Sequence, residues 1–321
     1  MKFISLFGLL ICLQSHIYGD PVKTDPKAIE LLNEMASAYS QLPTLNLTAT
    51  AYAYRTIIHG HPHPGPISGL AQIQGKPTGL VLHLQVQRPN LLRLTLSQPG
   101  ESEPSLWVCD GRKLYSYLPN TTIGKLKGNF YTEDPAPHNL YDLLRMKAMT
   151  SGGLELLMMA GENPFNQLSD AVQSVHFDGQ IVIHNILTDV VELHSKEKTL
   201  STRIFFCIGK TDHLLYRWVI QTHTLPPPAD SLLVGDQFDV LIHHNSASST
   251  PPDFSQLERI TFDNNFFLPD QLSSDTLLFS VPRGTQRYTP LAQGKNGING
   301  LSFLMNKKNI EKYVKEHRVQ R

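Results

Sequence analysis

Cysteine is nearly missing from this chain. There are three, and Cys12 falls inside an N-terminal apolar run. Cys109 and Cys207 remain, too far apart in sequence for a C-x-x-C pair, so a disulfide-dense scaffold and a thioredoxin-type motif are both excluded. Two buried thiols or a single bridge stay open as alternatives. A surplus of one charge is missing too. Lys+Arg and Asp+Glu stand at 28 each, so no overall basic field draws the chain to nucleic acid or to an anionic membrane. The signature loops of common chemistry are absent as well: no Walker loop, no G-x-G-x-x-G, no H-E-x-x-H and no G-x-S-x-G elbow. No pair of carboxylates is singled out for glycosidase work. Nothing here marks an enzyme or a cofactor site. No apolar run reaches the ~20 residues of a comfortable membrane-spanning helix.

What is present begins at the N-terminus. Lys2 precedes "FISLFGLLICL", and polar "QSHIYGDPVKTDP" follows. One positive charge, a short apolar run and a small residue near its end predict a secretory signal peptide over residues 1–19, cut after Gly19. Lipidation at Cys12 is disfavoured, because bulky Ile11 stands where a small residue is needed. The mature chain is thus expected to be exported and soluble.

"TDPKAIELLNEMASAYSQL" carries a helix start, with Thr24 or Asp25 as cap and Pro26 in the first turn. Ile29, Leu32, Met35, Ala36 and Tyr39 recur at helical spacing, and Pro43 stops the run. From Thr44 the period becomes two, with Leu45, Leu47, Ala49, Ala51 and Ala53 on one face. "SGLAQIQGK", "TGLVLHLQVQRP", "NLLRLTL", "SLWVCDG" and "RKLYSYLP" predict further strands, with Asp110-Gly111 as a tight turn. Residues 136–173 then read as short apolar helices, and four of the seven methionines lie between Met146 and Met159. Flexible methionine suits a surface that accepts varied apolar partners, or these helices simply cap a core. Strands resume from Ser174 and continue to "DTLLFSVPRG". This order predicts an α+β, mainly β fold: a single curved antiparallel sheet with helices against one face. One domain spans residues 20–290, and a basic tail follows over 291–321.

Two stretches ask for a chemical reading. "HGHPHPGP" spaces His59, His61 and His63 alternately, but a Pro/Gly-rich loop supplies neither rigidity nor an evident carboxylate for zinc. A solvated hairpin loop is the reading kept, and no metal is assigned. The second is "QRPNLLRL". Leu82, Leu84 and Val86 share a face by alternation, and Arg88 continues their parity before Pro89 ends the strand. An arginine on the apolar side either emerges at the rim with its stem over apolar surface, or spends its five donors on carbonyls and carboxylates. In the second case it pins a helix over the concavity.

"QRPNLLRLTLSQPGESEPSLWVCDGRKLYSYLPN" resembles the central signature of the LolA-like periplasmic lipoprotein carriers. The likeness covers Arg88 to Leu91, Gln98-Pro99, and the V-x-D-G-x-x-L-x-x-Y-x-P pattern from Val108 to Pro119. "LLFSVPRG" is similar to that family's last strand, with Arg283 where a second proline is usual. The chain's length and its opening "LLNEMASAYSQLPTLNLTATA" look closer to the DUF2092 group of predicted periplasmic proteins. The resemblance implies an incomplete (half) β-barrel with a helical lid, here around residues 136–173, and an apolar cavity for lipid or lipoprotein acyl chains. It implies a periplasmic, non-enzymatic carrier without cofactor, expected to be a monomer, in which the arginine of the Arg-Pro pair holds the lid closed. That residue is Arg88. Leu82, Leu84, Val86, Leu92, Leu143, Met146, Met149, Leu157 and Met158 are the cavity and lid candidates. The alternative is an envelope-assembly factor that binds protein partners and keeps its cavity filled.

Overall fold

The computed structural model describes residues 23–59, 67–97, 102–123, 126–140, 142, 153–166, 172–196, 200–224 and 254–288. After a two-residue strand β1 (Lys23–Thr24), Asp25 opens helix α1 (Pro26–Gln41), with Pro26 in the first turn. The Asp25 carboxylate accepts the Lys27 N–H at 2.9 Å, supplying one of the acceptors a helix start lacks. Its other oxygen takes the Phe177 N–H at 3.2 Å, so the cap also ties the helix start to the sheet. Ala28, Leu31, Leu32, Met35, Ala36 and Tyr39 are buried along one face.

Among the described residues twelve more strands follow: β2 (Thr44–His59), β3 (Lys76–Gln87), β4 (Leu91–Ser97), β5 (Ser105–Asp110), β6 (Lys113–Ile123), β7 (Leu126–Pro135), β8 (Val172–Ile183), β9 (Ile186–Lys196), β10 (Leu200–Gly209), β11 (Leu215–Thr224), β12 (Phe254–Phe267) and β13 (Gln286–Arg287). A short helix α2 (Gly153–Met159) lies between β7 and β8. All strands join one sheet in the order β1-β8-β9-β10-β11-β12-β2-β3-β4-β5-β6-β7-β13. The junction of the two halves is β12 against β2, paired from Phe254–His59 to Phe267–Asn46. The sheet is open, because β1 and β13 at its two ends do not meet. Both are two-residue additions that pair in parallel, a departure from the all-antiparallel expectation. Strand twist and bulges at Thr50/Tyr52, Leu118/Thr121 and Phe177/Gly179 curve the rest.

Two predicted strands are not strands. "SGLAQIQGK" begins with a 3₁₀ turn at Ile67–Leu70, and only its last residue, Lys76, enters β3. "DTLLFSVPRG" is a 3₁₀ turn at Ser274–Leu277 and then irregular chain. Leu70 is buried and the Phe279 ring stacks on Tyr115, whereas Ile73, Leu278 and Val281 are exposed. The Asp110-Gly111 turn forms as predicted: Asp110 Oδ1 accepts the N–H groups of Arg112 and Lys113 at 2.8 and 2.7 Å. Gly111 sits at φ +85°, a left-handed conformation that glycine adopts without a side-chain clash.

Alternation then decides the core. Leu45, Val86, Leu92, Cys109 and Leu114 are directly opposed across β2 to β6, and all five are 0% exposed. They belong to the same buried cluster as the inner face of α1 and Leu154, Leu156, Met158 and Met159 of α2. Cys207 instead stands opposite Arg217, whose partner Asp263 pairs with Thr50 on the other parity of β2. The two cysteines therefore face opposite sides of the sheet, and both are free, buried thiols. Leu47→Ala, which empties a fully buried position of β2, is expected to cost about 2–5 kcal/mol. Urea unfolding checks this through the shift in midpoint.

Candidate functional site

β3 ends at Gln87, and Arg88 continues the inward parity of Leu82, Leu84 and Val86 beneath the end of α1. That helix stops at Leu42, because Pro43 follows, so its last carbonyls have no intrahelical donor. Arg88 supplies donors. Its Nε–H reaches Leu42 O at 2.9 Å, and Nη2 reaches Ser40 O at 2.7 Å. Nη2 also makes a close contact with Met159 O, the last carbonyl of α2. Its main-chain N–H goes to Pro43 O at 3.0 Å. One guanidinium thus gathers the C-terminal ends of both helices, where the helix dipoles favour positive charge. Partial burial pushes its pKa down from the ordinary value, yet an arginine stays protonated in a protein. Next to it, Asn90 Nδ2 donates to Pro137 O at 2.6 Å and fastens the chain that leads into residues 138–142.

Leu82, Leu84, Val86 and Leu92 lie on the helix side of the sheet and are buried with Met158 in one apolar cluster, against which α1 and α2 close. Leu157 is half-buried. Leu143, Met146 and Met149 lie outside the described residues, as do His61 and His63. The space these side chains define is filled by Leu32, Met35, Tyr39, Leu156 and Met159, each 0% exposed. An apolar guest reaches this face only when one or both helices move.

Sequence reasoning missed the polar group inside that face. Glu155 is the one acid in "GLELLMM", and it is buried at 2% exposure against the sheet. Asn264 of β12, fully buried, donates from Nδ2 to Glu155 Oε1 at 3.1 Å and to Leu215 O at 2.7 Å. Its Oδ1 has no partner. Nearby, Tyr39 Oη accepts the Leu215 N–H at 3.3 Å. Desolvation pushes the Glu155 carboxyl above its ordinary value. Burial first, and then the neighbouring Glu155, push Tyr39 well up. A neutral Glu155 can turn its O–H toward the vacant Asn264 oxygen; an ionised one cannot. An acid amid leucines and methionines was the only available signal, and long-range register hid its partner.

Two outcomes are expected. Arg88→Leu removes the charged hydrogen bonds at both helix ends, each worth about 1.5–3 kcal/mol, so amide exchange within 153–159 should quicken by at least about ten-fold. Exchange in β9–β11 should stay unchanged. The second concerns pH. Below 4.5, the ordinary Glu155 value, the group is neutral in folded and unfolded chains alike and stability is fully present. As pH rises through the raised folded value, the unfolded chain loses its proton first and stability falls. Glu155→Gln should flatten this part of the profile, which thermal unfolding from about pH 4 to about pH 8 reads directly.

No protein-family model matches the chain, and no curated protein matches it. Solved structures similar to it include the Mycobacterium tuberculosis lipoprotein LppX, 10% identical, with 78% of this chain and 100% of that chain covered and a TM-score of 0.35. LprF from Mycobacterium bovis is 12% identical over 78% of this chain and 97% of its own, with a TM-score of 0.35. A LolA superfamily protein from Nitrosomonas europaea is 8% identical over 78% and 97%, with a TM-score of 0.26.

Proposed function

We propose that the protein is an exported, non-enzymatic carrier of lipid or lipoprotein acyl chains, and that the sheet's apolar face is its cargo site. The sheet then acts as a half-barrel, with α1 and α2 as its lid. The carrying observation is Arg88. At the Arg-Pro position that resembles the LolA-like carriers, its guanidinium bonds the ends of both helices that cover the apolar face. Arginine–carbonyl bonds at helix ends make a latch that can open, because water can replace each one. A purely apolar seal would have no such release point.

The energies are compatible. Burying an acyl CH₂ is worth about 0.8 kcal/mol, so a sixteen-carbon chain contributes on the order of 10 kcal/mol before entropic losses. That sum has to exceed the cost of lifting two helices from the sheet. No described helix is long and apolar enough to cross a membrane; the proposal places the carrier in the periplasm as a monomer.

Native mass spectrometry tests this reading on the mature chain, purified from a bacterial periplasm without detergent. The expected result is a mass excess that extracts into solvent as acyl lipid, or that forms on adding lysophospholipid. A bare polypeptide mass that stays bare with lysophospholipid would contradict it and shift the weight to envelope assembly with a filled interior.

A further inference from the structure

The face of the sheet opposite the helices is polar where β10, β11 and β12 meet. Arg203, Gln221, Arg259 and Tyr54 stand directly opposite one another across β10, β11, β12 and β2. His223 follows Gln221 by two residues on the same face, diagonal to Arg259, so their backbones stand about 7 Å apart. Arg259 is 8% exposed and His223 is 5% exposed. Both are built into the sheet, well away from the Arg88 latch.

Each carries a buried donor with no acceptor. Arg259 Nη1 donates to Gln74 Oε1 at 2.6 Å, whereas its Nε–H has no partner. The His223 ring meets the Gln221 side-chain nitrogen at Nε2, 2.8 Å away. An amide nitrogen only donates, so Nε2 is the acceptor and the neutral ring holds its proton on Nδ1. That Nδ1–H is buried without a partner. Burial, and then Arg203, hold the imidazole below its ordinary pKa, in the neutral form. Leaving such a donor unmade costs about 1–3 kcal/mol, and here there are two.

The carboxylates described on this face are already engaged. Glu192 is bound by Arg203 through Nε and, at 2.7 Å, through Nη2. Asp263 is bound by Arg217 at 2.8 Å and by His184 at 3.0 Å. Asp178 shares a hydrogen bond with Glu192. Arg259's other near neighbours are Arg217, Tyr54 and Cys207, whose thiol burial pushes up to about 12 and so keeps neutral. What is missing is an acceptor with negative charge, and the way in lies past exposed Gln74 and the Tyr54 ring, which is 37% exposed.

We propose that Arg259 and His223 form a binding site for an oxyanion, a carboxylate or phosphate group, on the sheet face opposite the helices. The guanidinium Nε–H and the imidazole Nδ1–H donate to oxygens of the same group, as charge-assisted recognition of these anions requires. A lipid headgroup and a free anion share this chemistry. The site does not depend on the acyl-carrier reading.

The test uses the ¹⁵N-labelled mature chain, titrated at constant ionic strength with inorganic phosphate and, separately, with octyl phosphate below its micelle threshold. Saturable shifts of the Arg259 Nε–H and His223 ring resonances are expected, and Arg259→Gln should weaken binding by at least about ten-fold. Octyl phosphate binding at least about ten-fold tighter than phosphate assigns a lipid headgroup; equal affinities assign a free anion, and both support the site. If neither resonance saturates up to about 10 mM of either probe, the proposal is overturned. Wild-type affinity in a folded Arg259→Gln chain overturns it too. Should that variant fail to fold, the wild-type titration decides alone.

Discussion

Two helix ends with unpaired carbonyls meet over an apolar face, and a single guanidinium satisfies them. That convergence on Arg88 organises the helix side of the molecule. Leu42 and Ser40 belong to the end of α1, and Met159 closes α2. Without a donor there, covered carbonyls would lie against a leucine-rich surface at a cost of about 1–3 kcal/mol each. Proline at position 43 ends the first helix where Arg88 can reach it, and proline at 89 ends β3 just past the arginine. Asn90 extends the same anchoring to Pro137. The run Arg88-Pro89-Asn90 is therefore a fastening point set at the end of a strand.

The sheet divides its labour between faces. On the helix side Leu45, Val86, Leu92, Cys109 and Leu114 form an unbroken apolar row, and Glu155 with Asn264 is a polar pair set within the cover. On the far side Arg217 and Asp263 pair in a buried position, and Arg217 also donates to Leu70 O and Ala71 O at 2.8 and 2.9 Å, which lays that segment over the sheet. A face so rich in paired charge resists slipping in register, because a shift of one residue would bury unpaired charges among the leucines. The fixed register in turn keeps Arg88 on the helix side, and so under the two helix ends.

Much of this was readable from local pattern. The period-two run from Thr44, the Asp110-Gly111 turn, the Asp25-Pro26 start and the parity of Arg88 with Val86 are short-range facts, and each is decided by neighbours within a few residues. The misreadings share a cause. "SGLAQIQGK" and "DTLLFSVPRG" have strand-like composition, but each forms a 3₁₀ turn instead, burying Leu70 and stacking Phe279 on Tyr115 while Ile73, Leu278 and Val281 stay exposed. The pairing of β12 with β2 spans about two hundred residues of sequence and leaves no local mark. Asn264 beside Glu155, and Cys207 on the face away from Cys109, follow from that pairing and from the β10–β12 register, so neither could be found by spacing alone.

The central claim is that the helices open as a latched cover when an acyl chain enters. Spin labels on the cysteine variants Glu30→Cys of α1 and His83→Cys of β3, both exposed positions, report the separation of helix and sheet directly. Cys109 and Cys207 are buried and free, which leaves the two introduced thiols as the accessible ones. Pulsed dipolar spectroscopy with and without lysophospholipid is the measurement. The account requires a longer distance in the lipid-bound chain, and the same lengthened distance without lipid when Arg88 is replaced by leucine. An unchanged distance in a chain that demonstrably holds lipid would contradict it.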